Sequence, residues 1–305
     1  MTWPEGERED GDRRAPASTI SFLSDYGQAD EFVGVVRSVL RRLAPGAVLV
    51  DLTHELPPHD VLAGALALRR SAPWLAPGVA LAVVDPGVGT SRRAIVVEPA
   101  DLGSRAAGPD GLVFVGPDNG LLLPAVEALG GAARAVALPP ASYPVVPRVV
   151  GAPGEAGPTF DGRDVFAPAA AALARGADPL DLGTEIDPAT LVPGPQVVSR
   201  TVPGGVAAPV VWVDRFGNAQ LALAPDDGGP VGSVVGLELA GGTRASARRV
   251  RAFADLDPGE VGLVVDSSGL LALVCDRRSA ARHLGVAQGD EVVLRPPGDD
   301  PDTAR

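Results

Sequence analysis

VALAVVDPGVGTSRR, residues 79–93, decides the fold: a near-continuous apolar run ends at Asp85, followed by a glycine-bearing turn and two arginines. A strand apolar at almost every position is buried on both faces, which places it in a parallel sheet covered by helices. Upstream, TISFLS (19–24) and AVLVDLTH (47–54) have the same character. Between them EFVGVVRSVLRRL (31–43) sets Phe32, Val36, Val39, Leu40 and Leu43 on one helical face before Pro45-Gly46 stops it. Asp60 is placed to cap a helix running through Leu68. Downstream, RAIVVE (93–98) and LVFVG (112–116) read as strands, and DVFAPAAAALARG (164–176) as a helix ended at Gly176. Strands alternating with helices predict an α/β domain with an open, mostly parallel sheet over residues 18–186.

Beyond a Pro/Gly-rich linker at 187–205 the pattern changes to short strands separated by Gly, Asp and Pro turns. VVWVDRFGNAQLAL, SVVGLEL, VGLVV, LLALVC and EVVLRP predict a smaller all-β, barrel-like domain over 206–296, with one short helix near Arg277 to Leu284. A chain of 305 residues suits two such cores. The polar, aperiodic segments 1–17 and 297–305 are expected to be disordered tails.

The net charge of -12 argues against a nucleic-acid partner, which needs clustered basic residues to neutralise phosphates. The chain has no lysine, which excludes lysine Schiff-base chemistry and the lysine-dependent phosphate loop. Its single cysteine, Cys275, forbids an intrachain disulfide. No long apolar run suggests a membrane span or secretory leader, so a reducing cytoplasmic setting is expected.

The residues with chemical potential follow apolar strands, where α/β sheets bind ligands. Asp25 ends the first strand; Asp30 precedes a helix and is suited to capping it or to pairing with an ammonium group. Asp85 has Arg92 seven residues on, and its glycines do not fit the dinucleotide-binding spacing. In TFDGRDVFAP, Asp161, Arg163 and Asp164 crowd a glycine, Asp164 being the expected N-cap. VGPDNGLLLP and VDRFGNAQL read as turns, and they hold the chain's two asparagines, Asn119 and Asn218. His54 and His59 have neither a third ligand nor helical i,i+4 spacing, so no metal site is predicted.

Taken together, SDYG..DEFVG, VDLTHELPPHD, VVDPGVGTSRR, VGPDNGLL, TFDGRDVFAPAAA and VDRFGNAQL resemble the S-adenosyl-L-methionine hydroxide adenosyltransferase family, relatives of the nucleophilic fluorinase and chlorinase. The resemblance runs from about Thr19 to Arg295. It implies a homotrimer with active sites between the N-terminal domain of one subunit and the C-terminal domain of the next, and no cofactor. Hydrolysis of S-adenosyl-L-methionine to adenosine and methionine is the implied reaction. By resemblance Asp25 holds the ribose hydroxyls, and Asp30 and Ser267 lie near the methionine end. Phe216 and Asn218 meet the adenine from the neighbouring subunit, beside the backbone around Cys275 to Arg277. His59, Phe160 and Asp276 complete the implied substrate-binding set.

Hydrolases of the family carry an Asp, Arg, His set around the attacking water. Asp85 and Arg92 fall on the first two positions, and Asp161 takes the third because TFDGRD stands where the family reads TFHGRD. That substitution leaves open an alternative, a protein that binds the sulfonium without turning it over. Halogenating relatives carry a tyrosine where Asp85 stands, which makes halide transfer the poorer reading. A sulfonium leaves as a neutral thioether without a general acid, so the site must mainly orient a nucleophile. If Asp85 and Asp161 both face that water, one of the two should have a raised pKa.

Overall fold

The computed structural model describes residues 19–100, 111–139 and 159–296, so both predicted tails lie outside the described residues. The chain divides into two compact units, Met1–Pro195 and Gln196–Arg305.

The first unit is built on a seven-stranded sheet ordered β2-β1-β3-β5-β4-β6-β7. Its strands are β1 (Thr19–Ser24), β2 (Val48–Thr53), β3 (Gly78–Val83), β4 (Ala94–Pro99), β5 (Leu112–Pro117), β6 (Ala132–Leu138) and β7 (Thr184–Ile186). The run β2-β1-β3-β5 is parallel, whereas β4, β6 and β7 join through antiparallel pairings, so the sheet is mixed. Its helices are α1 (Phe32–Leu43), α2 (Val61–Ser71), α3 (Leu123–Glu127), α4 (Ala167–Ala174) and α5 (Pro179–Leu182). Val33, Val36, Val39 and Leu40 of α1 and the alanines of α4 share a core with Ile20, Phe22, Val79, Leu81 and Val83. Strand side chains alternate between faces, and Ser21 and Leu23 are buried as well, so β1 is covered on both sides.

Asp60 caps α2 as expected, accepting from the Ala63 amide. Two other expected caps do not form. Glu31, not Asp30, occupies the N-cap of α1 and makes no side-chain cap bond. Asp164 turns instead to the neighbouring Arg163, its two oxygens accepting from Nε and Nη2 at 2.6 and 2.7 Å. The helix also opens differently from expectation, with a π-helical turn at Gly162–Phe166 ahead of α4.

The second unit is a closed barrel of seven strands: β9 (Gly205–Val213), β10 (Ala219–Leu221), β11 (Val234–Glu238), β12 (Arg244–Arg249), β13 (Val261–Val265), β14 (Leu271–Cys275) and β15 (Glu291–Arg295). They follow the order β10-β14-β13-β12-β11-β15-β9, and β9 pairs with β10 to close the ring. Closure removes the free edges that an open sheet of short strands would leave. The short β8 (Arg200–Val202) pairs with the start of β9, so part of the segment read as linker is strand. The core is aliphatic, from Val210 and Leu221 to Leu263, Leu273 and Leu294. Helix α6 (Ala280–Leu284) starts at Ser279, whose hydroxyl accepts from the Arg282 amide.

Candidate active site

Parallel pairing of β1 with β3 sets Ser24 opposite Val83, so the residues that follow, Asp25 and Asp85, emerge side by side at one edge of the sheet. The Asp25 amide donates to the Val83 carbonyl at 3.4 Å. Asn119, from the turn after β5, donates from Nδ2 to the Val84 carbonyl at 2.9 Å and steadies the approach to Asp85.

Asp85 and Arg92 form a bidentate pair: Nε to Oδ1 at 2.9 Å and Nη2 to Oδ2 at 2.5 Å. The same Nη2 also donates to Oδ2 of Asp161, so one guanidinium serves two carboxylates. Side-chain exposure is 6% for Asp85, 11% for Arg92 and 19% for Asp161, low enough for charge to act with little screening. Phe166 closes the other side, with the Arg92 guanidinium 5.2 Å from its ring centre.

Burial lifts the Asp85 carboxyl above the usual carboxylate range; hydrogen bonds from Arg92 draw it down and the Asp161 charge pushes it up. Burial alone would lower the Arg92 guanidinium, but its bonds to Asp85 and Asp161 hold it above its ordinary value, so it stays charged.

Three aromatic rings gather beside this cluster. Phe160 meets Phe32 edge-on at 5.1 Å and Tyr26 at 5.6 Å, while Tyr26 and Phe32 are 5.8 Å apart. The Arg163 guanidinium lies 5.1 Å from the Phe160 ring centre. These contacts explain why Phe32, on the predicted buried face of α1, is 38% exposed: it covers Tyr26 and Phe160 rather than the sheet.

His59 takes part through its backbone. Its φ of 67° is left-handed, a conformation that costs a non-glycine residue energy, and its amide donates to Asp25 Oδ2 at 2.8 Å. His54 is buried under the same loop: Ser24 Oγ lies 2.8 Å from Nδ1, and Nε2 lies 3.0 Å from Asp51 Oδ1. Its carbonyl accepts from the Gly27 amide at 2.7 Å, which ties the Asp25 segment down. Asp30 is exposed in that segment. Among the described residues, no group of three or more His, Cys, Asp or Glu is placed to hold a metal ion.

In the barrel unit, Phe216 and Asn218 sit on a turn organised by Asp214. Its Oδ1 accepts from the amides of Phe216 and Asn218, both at 2.9 Å, and Oδ2 from Asn218 Nδ2 at 2.8 Å. Phe216 is left 78% exposed. A Cβ on Gly217, at φ 85°, would come 2.0 Å from Ser279 Oγ, so only glycine lets this turn lie against the start of α6. Antiparallel pairing of β10 with β14 brings the turn to the same end of β14 as the half-exposed Asp276. Ser267 lies in the turn before β14, at the strand's other end, beside Asp266, whose Oδ2 accepts from Gln220 Nε2 of β10. The structure therefore groups Phe216, Asn218 and Asp276 at one end of β14 and places Ser267 in the turn at the other.

Asp214 and Tyr26 carry site geometry that sequence reasoning did not single out. The signal for Asp214 was present, since an Asp whose carboxylate takes amides two and four residues on is a turn former. Tyr26 gave none, because its placement depends on Gly162, which is distant in sequence.

An α/β unit in which one guanidinium is shared by a half-buried carboxylate after a strand and another at the start of a helix, followed by a seven-stranded barrel, defines a class of two-domain proteins with a polar site at the carboxyl edge of the sheet. The chain belongs to the SAM hydroxide adenosyltransferase family: that family's N-terminal domain model matches residues 20–183 and its C-terminal domain model residues 208–293. It is 45% identical over 278 residues to the (R)-S-adenosyl-L-methionine hydrolase of Salinispora tropica, covering 91% of this chain and 98% of that one. A fluorinase of an Actinoplanes species is 28% identical over 277 residues, covering 83% and 89%. A crystal structure of an uncharacterized conserved protein from Thermotoga maritima superposes with a TM-score of 0.76 at 30% identity, covering 90% of this chain and 99% of that one.

Proposed function

We propose that the protein hydrolyses S-adenosyl-L-methionine at the C5′–S bond, releasing adenosine and L-methionine. The observation that carries this reading is the Asp85–Arg92–Asp161 cluster at the sheet edge of a chain from this family. Burial has raised the basicity of Asp85, which suits a carboxylate that takes a proton from water. Arg92 fixes the direction of that carboxylate and favours a hydroxide-like nucleophile. Holding water and substrate in line contributes up to about 7–11 kcal/mol to the rate when orientation is ideal. Excluding bulk water strengthens the effect, because hydroxide and sulfonium both lose charge as they react.

Asp25, Asp30, His59 and Phe160 are assigned to substrate binding in the N-terminal domain, and Phe216, Asn218, Ser267 and Asp276 in the barrel. We place the active site between copies in a homotrimer, so that the exposed Phe216 and the half-buried Asn218 of a neighbouring copy meet the adenine. The domain bounds are taken as 18–186 and 206–296, with 187–205 as linker, a reading that the spans of the two family models support. No helix among the described residues is long and apolar enough to cross a membrane, and we assign the protein to the reducing cytoplasm, where a lone buried thiol such as Cys275 is at home. The sulfonium sulfur is a stereocentre, and the Salinispora relative's name specifies the R form, which we propose as the substrate here.

The test is incubation of the full chain with each sulfonium epimer, with and without chloride, followed by chromatography. Adenosine and methionine formed without halide support the hydrolase. Intact ligand recovered with the protein would establish the binding-only alternative that Asp161 raises, and a product that needs halide would refute hydrolysis.

A further inference from the structure

The Tyr26 hydroxyl stands against Gly162, next in sequence to Asp161 and within reach of the charges of Asp25, Asp85 and Asp161, and the proposed reaction leaves it idle. Its ring is held by Phe22, Phe32 and Phe160 at centroid distances of 6.5, 5.8 and 5.6 Å, which leaves the phenol oxygen little freedom. That oxygen occupies the space a side chain at 162 would fill: a Cβ built on Gly162 would stand 2.1 Å from it. The preceding residue is Asp161, whose carboxylate lies on Arg92. No hydrogen bond among the described residues engages the hydroxyl, whereas the Tyr26 backbone amide donates to Ser24 Oγ at 3.4 Å.

A confined phenol beside carboxylates has two faces to offer. Burial, reinforced by the charges of Asp25, Asp85 and Asp161, pushes its pKa up, so it keeps its proton at neutral pH. The same negative field draws the O–H hydrogen towards a carboxylate and leaves the oxygen lone pairs for another donor.

We propose, on the hydrolase reading above, that Tyr26 is a further catalytic residue that touches the attacking water. Its oxygen accepts one water hydrogen while its own proton is directed at Asp161, which turns the other water hydrogen to Asp85. In the step itself the water oxygen forms the C5′–O bond and the C5′–S electron pair leaves on sulfur as the neutral thioether of methionine. The proton released passes to Asp85, and Tyr26 remains neutral throughout. This gives Asp161 a task that does not need imidazole: it orients the phenol that orients the water.

Tyr26→Phe tests the role, because it removes one oxygen and keeps the ring in its aromatic nest. Steady-state kinetics on the R sulfonium and thermal melting are compared with the wild-type full chain. The expected result is a kcat lower by about tenfold to a hundredfold, with KM within about twofold and the melting temperature unchanged. A kcat equal to wild type, or a loss confined to KM, overturns the role of Tyr26 while leaving the hydrolase reading intact. A wild-type chain that binds the sulfonium and never cleaves it overturns the hydrolase reading and this role with it.

Discussion

Lowering the pH from 7 to 5 should weaken the N-terminal unit through His54. This imidazole is 2% exposed, packed 4.5 Å from the Phe22 ring, and its pKa is lowered to about 4, mainly by burial and then by the Arg37 charge. Other charged groups around it are Glu55, which acts to raise the value, and Asp51, which shares its own oxygens with Arg37. Neutral His54 places its hydrogen on Nε2 towards Asp51 and accepts from Ser24 Oγ at Nδ1. In the unfolded chain the imidazole titrates at 6.5. Because the folded value is the lower one, the stabilising contribution is complete above pH 6.5 and is lost as pH falls towards 4. At about 1.4 kcal/mol per unit the full loss is about 3 kcal/mol, and about 2 kcal/mol has gone by pH 5. That is a large share of a typical folding free energy of about 5–15 kcal/mol. The chain has three histidines, so imidazole NMR titration resolves His54 directly. Urea unfolding of wild type and His54→Gln at both pH values isolates its share, because the carboxylate titrations common to both cancel. A His54 midpoint near 6.5, or a wild-type advantage that does not shrink at pH 5, would refute the reasoning.

Arg92→Met should destabilise the fold by about 3 kcal/mol by leaving the part-buried carboxylates of Asp85 and Asp161 unpaired, and adding Asp85→Asn should recover part of that loss in denaturant melts. Asp161→His replaces the second carboxylate on Arg92 with the imidazole that TFHGRD sequences carry; kcat should rise by about tenfold and its pH profile should gain an ionisation near 6.5, whereas a fall in kcat would show that the acidic residue is the better fit to this pocket. In the barrel, hydrogen bonds from Arg248 and then from the Asp257 amide hold the Glu260 carboxyl at about 2, so the stability they supply is present above 4.5 and is lost as pH falls towards 2; Arg248→Ala should raise its NMR midpoint towards 4.5 while the Asp257 amide keeps it below that value.

Much of the fold could be read from local pattern. The buried strands TISFLS and VALAVV, the α1 face and the Asp60 cap each declare themselves within a few residues, and most barrel strands are apolar runs between turns. The strand RASARR (244–249) could not be read that way, because four of its six residues are Arg or Ser. It is a strand because it pairs with β11 and β13 on its two sides, with Arg248 bonded to Glu260 at the start of neighbouring β13 and Arg249 buried, its Nη1 donating to the carbonyls of Val250 and Leu263. The mixed direction of the first sheet was equally hidden, since β4 and β6 are as apolar as their parallel neighbours and only their pairing partners set their direction.

The sequence by itself determined which residues carry charge at the ends of apolar strands, and therefore that Asp25, Asp85 and Arg92 were candidates for chemistry. Only the tertiary structure decided that Asp161, 69 residues from Arg92, shares its guanidinium, and that a glycine beside it makes room for the Tyr26 hydroxyl. Strand burial is a property of neighbours along the chain, so its period is written there. The sharing of one cation by two carboxylates depends on which elements the sheet brings together, and no local pattern records that.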